Sequence, residues 1–265
     1  LFSDGLNVVK PANDGSFSLP GHAKELFIFI TTPSGYKADN KYYCRINSKL
    51  KSYDFGLQPY DGGIRKDGSH KYVHITDTEI SGVGNHGDWV GNVRDYVANE
   101  QAAFIIHTGD LCYEKGMKSH IELMNTTNMN CPIFYCIGNH DLVEGQYGEE
   151  LFESIYGPTY YSFDVGSTHY IVTPMLRGDF KPKYTKEDVY RWLPKEKPIV
   201  MFSHDLITHN NQFIYGINEQ EQINLSDYNL KAWVYGHWHI NYMKKWGNAF
   251  SVSTSTPDKG GIDHS

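Results

Sequence analysis

The sequence contains no hydrophobic run long enough to cross a membrane. Its longest apolar stretches, such as residues 26–30 and 104–106, fall far short of the roughly 20 apolar residues of a spanning helix, and we expect no membrane span. No basic segment followed by an apolar one opens the chain, so no signal peptide is visible. Long basic runs are also missing, and the net charge is -7. Binding to a nucleic-acid backbone is therefore not expected, whereas small phosphorylated ligands stay compatible with this charge.

Cysteine is scarce as well. The chain has 4 Cys among 265 residues, and neither the spacing of a zinc ribbon nor that of a redox pair is present. Cys131 and Cys136 bracket one apolar segment and point to opposite faces of it, so we expect them not to pair. Buried, reduced thiols are the favoured interpretation, and a bridge from Cys112 to Cys136 stays open. Cysteine usage therefore does not assign a cellular compartment.

The apolar and aromatic content, 40% hydrophobic residues with 20 Tyr and 13 Phe, is enough for one α/β domain of ordinary size. Residues 1–55 show short β-prone runs without helical periodicity, which predicts a small partial β-sandwich. Residues 56–70 are rich in Gly and Asp, which predicts a linker. From residue 71 to residue 265, apolar strands alternate with helical patterns, so a sheet covered by helices is expected.

Periodicity places the predicted elements within these segments. Strands are predicted at residues 6–9, 16–19, 26–31, 72–76, 103–107, 131–137, 198–202 and 232–235, a hairpin at 160–165 and 169–173, and β structure from 246 to 253. Helices are predicted at residues 88–101, 116–129 and 149–156.

Five polar clusters each follow an apolar run that is typical of a buried strand. They are Asp-Thr-Glu at 77–79, Gly-Asp at 109–110, Gly-Asn-His-Asp at 138–141, His204, and Gly-His-Trp-His at 236–239. Ligands of α/β sheets bind beyond the carboxyl ends of the strands, so we expect these clusters to meet. Carboxylate, amide and imidazole groups in this number are suitable ligands for two divalent metals in one pocket.

Most of the clusters also have an ordinary structural explanation when taken alone. Asp77 and Glu79, two apart on an extended segment, would point the same way and could reach one cation, but a loop-start Asp beside a solvated Glu has the same sequence. Asp110 could bridge two metals or cap a turn. His237 and His239 could enter one site together from an extended segment, or lie on the surface.

The cluster at residues 138–141 is the most specific of the five. The amide oxygen of Asn139 is a plausible metal ligand, and His140 would then lie beside the metals, free to donate a proton or a hydrogen bond. Asp141 could orient that imidazole. His204 gains its interpretation as a ligand from its place in the series, because a single histidine after a buried strand is more often structural.

In their order, the clusters resemble the motifs of the calcineurin-like metallophosphoesterase superfamily, which run D-x-H, GD, GNH[D/E], H and G-H-x-H. The resemblance covers residues 71–265, and four of the five motifs match. It implies an α/β fold of the metallophosphoesterase type, a β-sandwich of mixed sheets flanked by helices. It also implies a first metal held by Asp77, Asp110 and His239, a second held by Asp110, Asn139, His204 and His237, and His140 as the catalytic imidazole.

Glu79 departs from the family pattern, which has His at this position. A carboxylate is a harder ligand and adds negative charge, so it would favour Mn or Mg over softer ions, or weaken the first site. The expected cofactors are two divalent metal ions drawn from Mn, Zn, Fe and Mg.

The expected activity is hydrolysis of a phosphomonoester or phosphodiester of a small molecule by a hydroxide that bridges the two metals. The alternative, favoured by Glu79, is a catalytically weak or inactive metal-binding scaffold that acts as a carbohydrate- or partner-binding module. A third hypothesis is a nucleoside-polyphosphate hydrolase, in which tyrosines stack on a base: Tyr60, Tyr147, Tyr160 and Tyr161. The sequence indicates no oligomeric state.

Residues 1–55 resemble a truncated carboxypeptidase-regulatory or CNA-B-like domain. Such a domain precedes the phosphoesterase domain in one group of bacterial extracytoplasmic proteins, which implies a periplasmic or secreted location. In that group a C-terminal β domain follows a stretch similar to residues 260–264. We therefore expect this sequence to be part of a longer protein.

Overall fold

Two central β-sheets organise the chain in our computed structural model. The structure describes residues 1–5, 7–21, 26–80, 86–112, 114–143, 148–174, 196–206, 208–209, 212–216 and 222–257. The predicted C-terminal stretch at 260–264 lies outside the described residues. None of the described helices is long and apolar enough to span a bilayer.

The smaller central sheet has three strands, Tyr72–Ile75 (β7), Phe104–His107 (β8) and Ile133–Tyr135 (β9). They are parallel and lie in the order β7-β8-β9. The helices around it are Gly87–Glu100 (α1), Glu114–Leu123 (α2), Thr126–Met129 (α3) and Glu150–Ile155 (α4). The single helix predicted over residues 116–129 is in fact two, because Asn125 caps α3 by accepting the backbone N–H of Asn128 at 3.0 Å.

The larger sheet has six strands and is mixed, with the order β10-β11-β12-β16-β18-β17. These strands are Tyr161–Val165 (β10), Thr168–Val172 (β11), Ile199–Phe202 (β12), Leu230–Tyr235 (β16), Tyr242–Trp246 (β17) and Ala249–Ser253 (β18). Three more strands, Thr208–His209 (β13), Gln212–Gly216 (β14) and Gln222–Asn224 (β15), form a small separate sheet. The predicted hairpin at residues 160–173 is confirmed as the antiparallel pair of β10 and β11.

Alternation along β8 explains how the two sheets pack. Phe104 and Ile106 belong to the apolar core shared with the larger sheet, whereas Ile105 belongs to the core shared with the helices. Successive side chains of a strand point to opposite faces, so one buried strand serves both cores. The predicted fold class, mixed sheets flanked by helices, is confirmed.

Small antiparallel sheets precede the central ones. Phe2–Ser3 (β1), Val8–Val9 (β2), Phe27–Ile30 (β3) and Tyr43–Arg45 (β5) form one, and Tyr36–Ala38 (β4) pairs with Leu57–Pro59 (β6) in another. The strand predicted at residues 16–19 is absent, and β6 lies inside the predicted linker. The backbone N–H of Asp164 donates to the carbonyl oxygen of Thr32 at 2.8 Å, which joins this region to β10.

All four cysteines lie in described parts of the chain and are free thiols. The favoured interpretation of buried, reduced thiols fits Cys112, Cys131 and Cys136, whereas Cys44 is only partly buried. The bridge from Cys112 to Cys136 is absent.

Candidate metal centre

The five polar clusters lie just beyond the carboxyl ends of β7, β8, β9, β12 and β16. The first three of these strands are parallel to one another, and β12 is parallel to β16, so the clusters meet at one edge of the two sheets. Backbone hydrogen bonds align the first two clusters: the N–H of Asp77 donates to the carbonyl oxygen of Gly109 at 3.0 Å, and that of Glu79 to Asp110 at 3.1 Å. The strand ends thus place the predicted site residues in one small region.

His204 lies at the centre of the arrangement and is fully buried. Its Nδ1 donates to the carbonyl oxygen of Thr108 at 2.8 Å. Its Nε2 faces three other ligand-type atoms, which are Oδ2 of Asp110 at 3.0 Å, Oδ1 of Asn139 at 3.1 Å and Nδ1 of His237 at 3.2 Å. A histidine bound to a backbone carbonyl through one nitrogen, with the other nitrogen directed at a cluster of ligand atoms, is the usual arrangement at metal sites.

A second group forms around Asp77. Its Oδ2 accepts hydrogen bonds from Oγ1 of Thr76 at 2.6 Å and from the backbone N–H of His237 at 2.9 Å. Its Oδ1 is buried and receives no hydrogen bond within the described part of the chain, and it lies 3.2 Å from Nε2 of His239. Oε1 of Glu79 lies 3.8 Å from the same nitrogen. Asp77, Glu79 and His239 therefore surround one small space.

The donor atoms fit a divalent metal. Asp110, His204 and His237 offer ligand atoms within 4.8 Å of one another, and so do Glu79, Asp110 and His140. Asp110 belongs to both groups, as a carboxylate that bridges two ions would. Lone pairs packed this closely repel one another unless positive charge lies among them, and the buried Oδ1 of Asp77 has the same need.

The pKa values of three buried groups, Asp77, His204 and Asp110, are shifted by burial and by their mutual contacts. Burial raises the pKa of Asp77 above its usual range. Burial opposes the charged form of His204, but the bond to Asp110 outweighs it and raises the pKa of His204 to about 9. Burial also opposes the charge of Asp110, yet the bond from His204 keeps the pKa of Asp110 below its usual range. The site thus stabilises a positive charge at the position of Nε2 of His204.

Backbone conformation is unusual at five of the predicted ligands. The φ angles are +52° at Asp77, +44° at Glu79, +51° at Asp110, +68° at His237 and +52° at His239. Left-handed φ values cost about 1–3 kcal/mol at a residue other than glycine and concentrate at functional sites. The prediction that residues 77–79 and 237–239 are extended, with i and i+2 side chains on one face, is therefore wrong. Tight turns, not strand geometry, bring these side chains together.

The turn at His237 is especially tight. The backbone N–H of Trp238 donates to the carbonyl oxygen of Gly236 at 2.8 Å, which closes a three-residue turn around the positive φ of His237. Turns of this kind are rare and strained. A Cβ atom on Gly236 would lie 1.8 Å from Oγ1 of Thr76, so only glycine lets the turn approach β7 this closely.

His140 lies at the open side of the centre. Its backbone N–H donates to Oδ1 of Asp110 at 2.9 Å, and Nε2 of its ring lies 3.8 Å from Oδ2 of the same carboxylate. The His140 side chain is 37% exposed, so its ring is accessible to a ligand from solvent.

Asp141 is fully buried, and burial raises its pKa to about 7. Its carboxylate accepts backbone N–H groups from Gly138 at 2.9 Å, Cys112 at 3.2 Å and Leu111 at 3.3 Å. These bonds tie the loop after β8 to the loop after β9. The predicted role of Asp141 as the orienter of His140 stays a prediction.

Two threonines support the site and were missed in the sequence. Thr76 donates to Asp77, and the carbonyl oxygen of Thr108 accepts from His204. The only signal was their position, directly before Asp77 and Gly109 at the strand ends. Nε2 of His107, the last residue of β8, lies 2.9 Å from Oγ1 of Thr78 in the first cluster.

Two of the four tyrosines predicted to stack on a base are not accessible to one. Tyr160 and Tyr161 are both fully buried, so they cannot contact a base from solvent. Tyr60 is partly buried, and Tyr147 lies outside the described residues.

Comparison with known proteins adds one family match. The family described as calcineurin-like phosphoesterase matches residues 70–241, a range that includes all five clusters. No curated protein matches the chain. Similar solved structures include a dimetal phosphatase from Danio rerio, with 10% identity and a TM-score of 0.45 over 70% of this chain and 87% of that one. GAP50, the anchor in the inner membrane complex of Plasmodium, shows 15% identity and a TM-score of 0.47 over 69% of this chain and 70% of that one. A purple acid phosphatase from yellow lupin shows 13% identity and a TM-score of 0.46 over 72% of this chain and 44% of that one.

Proposed function

Because this chain belongs to the calcineurin-like phosphoesterase family, we propose that it hydrolyses a phosphomonoester or phosphodiester of a small molecule at a centre of two divalent metals. Membership of the family makes the protein a hydrolase of phosphate esters. The observation that carries the more specific proposal is the shared position of Asp110, which lies in both groups of closely spaced ligand atoms.

The proposed ligands divide between two positions on either side of Asp110. The contacts of His239 with Asp77 and Glu79 support a first position made of these three residues and Asp110. The contacts of His204 with Asn139 and His237 support a second position, again completed by Asp110. Divalent ions at these positions supply Lewis-acid chemistry, since they acidify water and neutralise charge on phosphoryl oxygens.

The protein itself contributes orientation and a proton donor. Thr108 holds the ring of His204, and Thr76 and the backbone of His237 hold the carboxylate of Asp77, so the ligands are directed before a substrate arrives. His140 is partly exposed beside Asp110, and we assign it the donation of a hydrogen bond to a phosphoryl oxygen or of a proton to the leaving oxygen.

Hydrolysis of nitrophenyl esters tests the proposal directly. Metal-free protein is loaded separately with Mn, Zn, Fe(II) or Mg, and nitrophenol release is followed from nitrophenyl phosphate and bis-nitrophenyl phosphate. Elemental analysis of the same samples gives the number of bound ions. We expect two ions per chain and hydrolysis of at least one ester. Asp110→Asn should lower both the metal content and the rate, because Asp110 serves both positions.

The alternative is a metal-binding scaffold with little or no activity. Glu79 favours it, because a third carboxylate beside Asp77 and Asp110 adds negative charge where a substrate phosphate must approach. Full loading with two ions and no hydrolysis of either ester by any metal would support the scaffold and contradict the enzyme.

A further inference from the structure

Trp238 lies between two proposed metal ligands and keeps most of its surface in water. Trp238 is 61% exposed, whereas Trp233 is fully buried and Trp89 and Trp246 are partly covered. A tryptophan is among the residues that gain most from burial, so an exposed indole calls for a reason other than packing. Its ring centroid lies 6.3 Å from that of His237, which places this apolar ring at the edge of the candidate metal centre.

The indole is held in place although it is exposed. Nε1 of Trp238 donates to Oδ1 of Asp205 at 2.9 Å, and the same oxygen accepts the backbone N–H of Leu206 at 2.7 Å. The carbonyl oxygen of Asp205 accepts a hydrogen bond from the hydroxyl of Ser203 at 2.7 Å. That hydroxyl in turn accepts a hydrogen bond from Nε1 of the buried Trp233 at 2.7 Å. A chain of hydrogen bonds therefore connects the exposed ring to the core.

Fixation of the ring matters for binding. A ring that is already ordered loses little conformational entropy when a ligand stacks on it, so more of the stacking free energy appears as affinity. The strained turn around His237 fixes the backbone of Trp238 as well. The anchoring bond uses the edge of the indole, and the perpendicular ring of His237 can cover one face of it at most, so the other face is available.

The surroundings indicate what could reach that face. An ester whose phosphate lies at the centre must extend its organic group past the partly exposed residues of the open side, which include His140, His239 and Trp238. Among these three, Trp238 is the one with a large apolar face. We propose that Trp238 is a stacking surface for the organic group of the substrate, and that the preferred substrates are phosphate esters whose organic group carries a flat ring. This inference rests on the proposed function.

A matched pair of esters tests the inference. Benzyl phosphate and propyl phosphate both leave as primary alcohols of similar acidity, so a difference between them reports on the ring. We expect wild-type protein to show a higher kcat/KM for benzyl phosphate. Trp238→Ala should lower that value about tenfold, within the range found for aromatic stacking, and leave propyl phosphate within about twofold. Trp238→Phe should retain most of the preference.

Two controls separate the possible causes. Met243 is 69% exposed on β17, and Met243→Ala should leave both esters unchanged, which excludes a general effect of exposed apolar surface. Elemental analysis of Trp238→Ala should show an unchanged metal content. Equal losses for both esters would overturn the inference and assign Trp238 to positioning the ligand loop. Unchanged kcat/KM values of Trp238→Ala for both esters would also overturn the inference. The exposed indole would then be assigned to contact with a partner protein.

Binding of the phosphonate analogues makes the test independent of turnover. Calorimetric titration of metal-loaded protein should show tighter binding of benzylphosphonate than of propylphosphonate in the wild type, and Trp238→Ala should remove the difference. This result without hydrolysis of any ester would support the stacking surface and count against the proposed function. Equal affinities of the wild type for the two phosphonates would overturn the stacking surface, whatever the rate of hydrolysis.

Discussion

The carbonyl oxygen of Thr108 accepts a hydrogen bond from Nδ1 of His204 across 2.8 Å. A carbonyl oxygen can only accept, so this bond holds a proton on Nδ1 and directs Nε2 at Asp110 and Asn139. The bond also fixes the ring plane. Burial lowers the pKa of His204, but the bond to Asp110 outweighs burial and raises it to about 9. A metal ion held by Nε2 would supply positive charge at the same place.

Metal removal should therefore destabilise the protein, and His204→Asn should weaken the response. Ligand binding at a hundredfold excess over Kd stabilises a folded protein by about 2.7 kcal/mol per site. We expect thermal unfolding to shift down with a chelator and up with added Mn or Zn. His204→Asn should bind one ion fewer by elemental analysis and show a smaller shift. His70→Ala, a histidine change at the opposite end of β7, is the control that should keep the full response. An unchanged metal content in His204→Asn would contradict its role as a ligand.

His140→Ala should lower turnover without removing metal. General acid catalysis contributes typically 10²–10⁴-fold, so kcat should fall by roughly that factor on an ester with a poor leaving group. Nitrophenyl esters should lose less, because nitrophenol leaves without a proton from the protein. Elemental analysis and the melting temperature should stay close to those of the wild type. Loss of metal together with activity would instead make His140 a ligand, in keeping with its proximity to Glu79 and Asp110.

Asp141→Asn should affect stability more than catalysis. The carboxylate of Asp141 accepts three backbone N–H groups, from Leu111, Cys112 and Gly138, and an amide has one oxygen with which to replace two. At least one buried donor would lose its partner, at a cost of about 1–3 kcal/mol. We expect a lower melting temperature and weaker metal binding, measured by denaturation and by metal titration. A fall in kcat alone, with stability and metal affinity unchanged, would support the other role, orientation of His140.

The positions of the candidate site residues at the strand ends could be predicted from sequence because buried strands leave a clear signal. Short apolar runs such as those of β8 and β12 are followed at once by a polar cluster, and parallel pairing brings their carboxyl ends together. The assumption that failed was local geometry. Residues i and i+2 share a face only on extended backbone, and the left-handed φ values of Asp77, Glu79 and His237 follow from tertiary contacts that composition does not encode.

Local competition explains the other differences. The helix predicted over residues 116–129 divides because the side chain of Asn125 bonds the backbone and begins a new helix. The β-prone run at 16–19 does not pair with the N-terminal sheet. The domain boundaries at 55 and 70 and the periplasmic or secreted location stay predictions.

Acid should destabilise the protein through two buried histidines that are not among the proposed metal ligands. Burial lowers the pKa of His74 and of His120 to about 3, whereas an unfolded histidine titrates near 6.5. Both are neutral when folded, so their contribution is complete above pH 6.5 and is lost as pH falls from there towards 3. At pH 5 the loss is roughly 2 kcal/mol for each.

Urea unfolding of metal-free protein at pH 7.5 and pH 5 measures this loss. His120→Gln keeps a polar partner for the hydroxyl of Tyr156, which lies 3.0 Å from Nδ1 of His120, and removes the titrating group. The difference in unfolding free energy between the two pH values should shrink by about 2 kcal/mol in this variant. An identical difference in variant and wild type would show that His120 is not kept neutral by the fold.

Glu79→His should change which metal the first position prefers. The proposed first position combines the carboxylates of Asp77, Glu79 and Asp110 with one imidazole, that of His239. Oxygen-rich sites suit Mn and Mg better than imidazole-rich sites do. Replacing one carboxylate by an imidazole should raise the ratio of bound Zn to bound Mn by at least roughly tenfold, the size that even outer-shell changes produce at metal sites.

This ratio is measured without reference to activity. Metal-free protein is incubated with equal Mn and Zn, and the bound metals are measured by elemental analysis and by the electron paramagnetic resonance signal of Mn. Glu79→Gln is the matched control, because it removes the charge but keeps an oxygen donor. It should weaken the binding of both Zn and Mn while changing the ratio of the two bound metals less. A ratio that does not move in Glu79→His would mean that Glu79 is not a ligand, and the first position would then consist of Asp77, Asp110 and His239 alone.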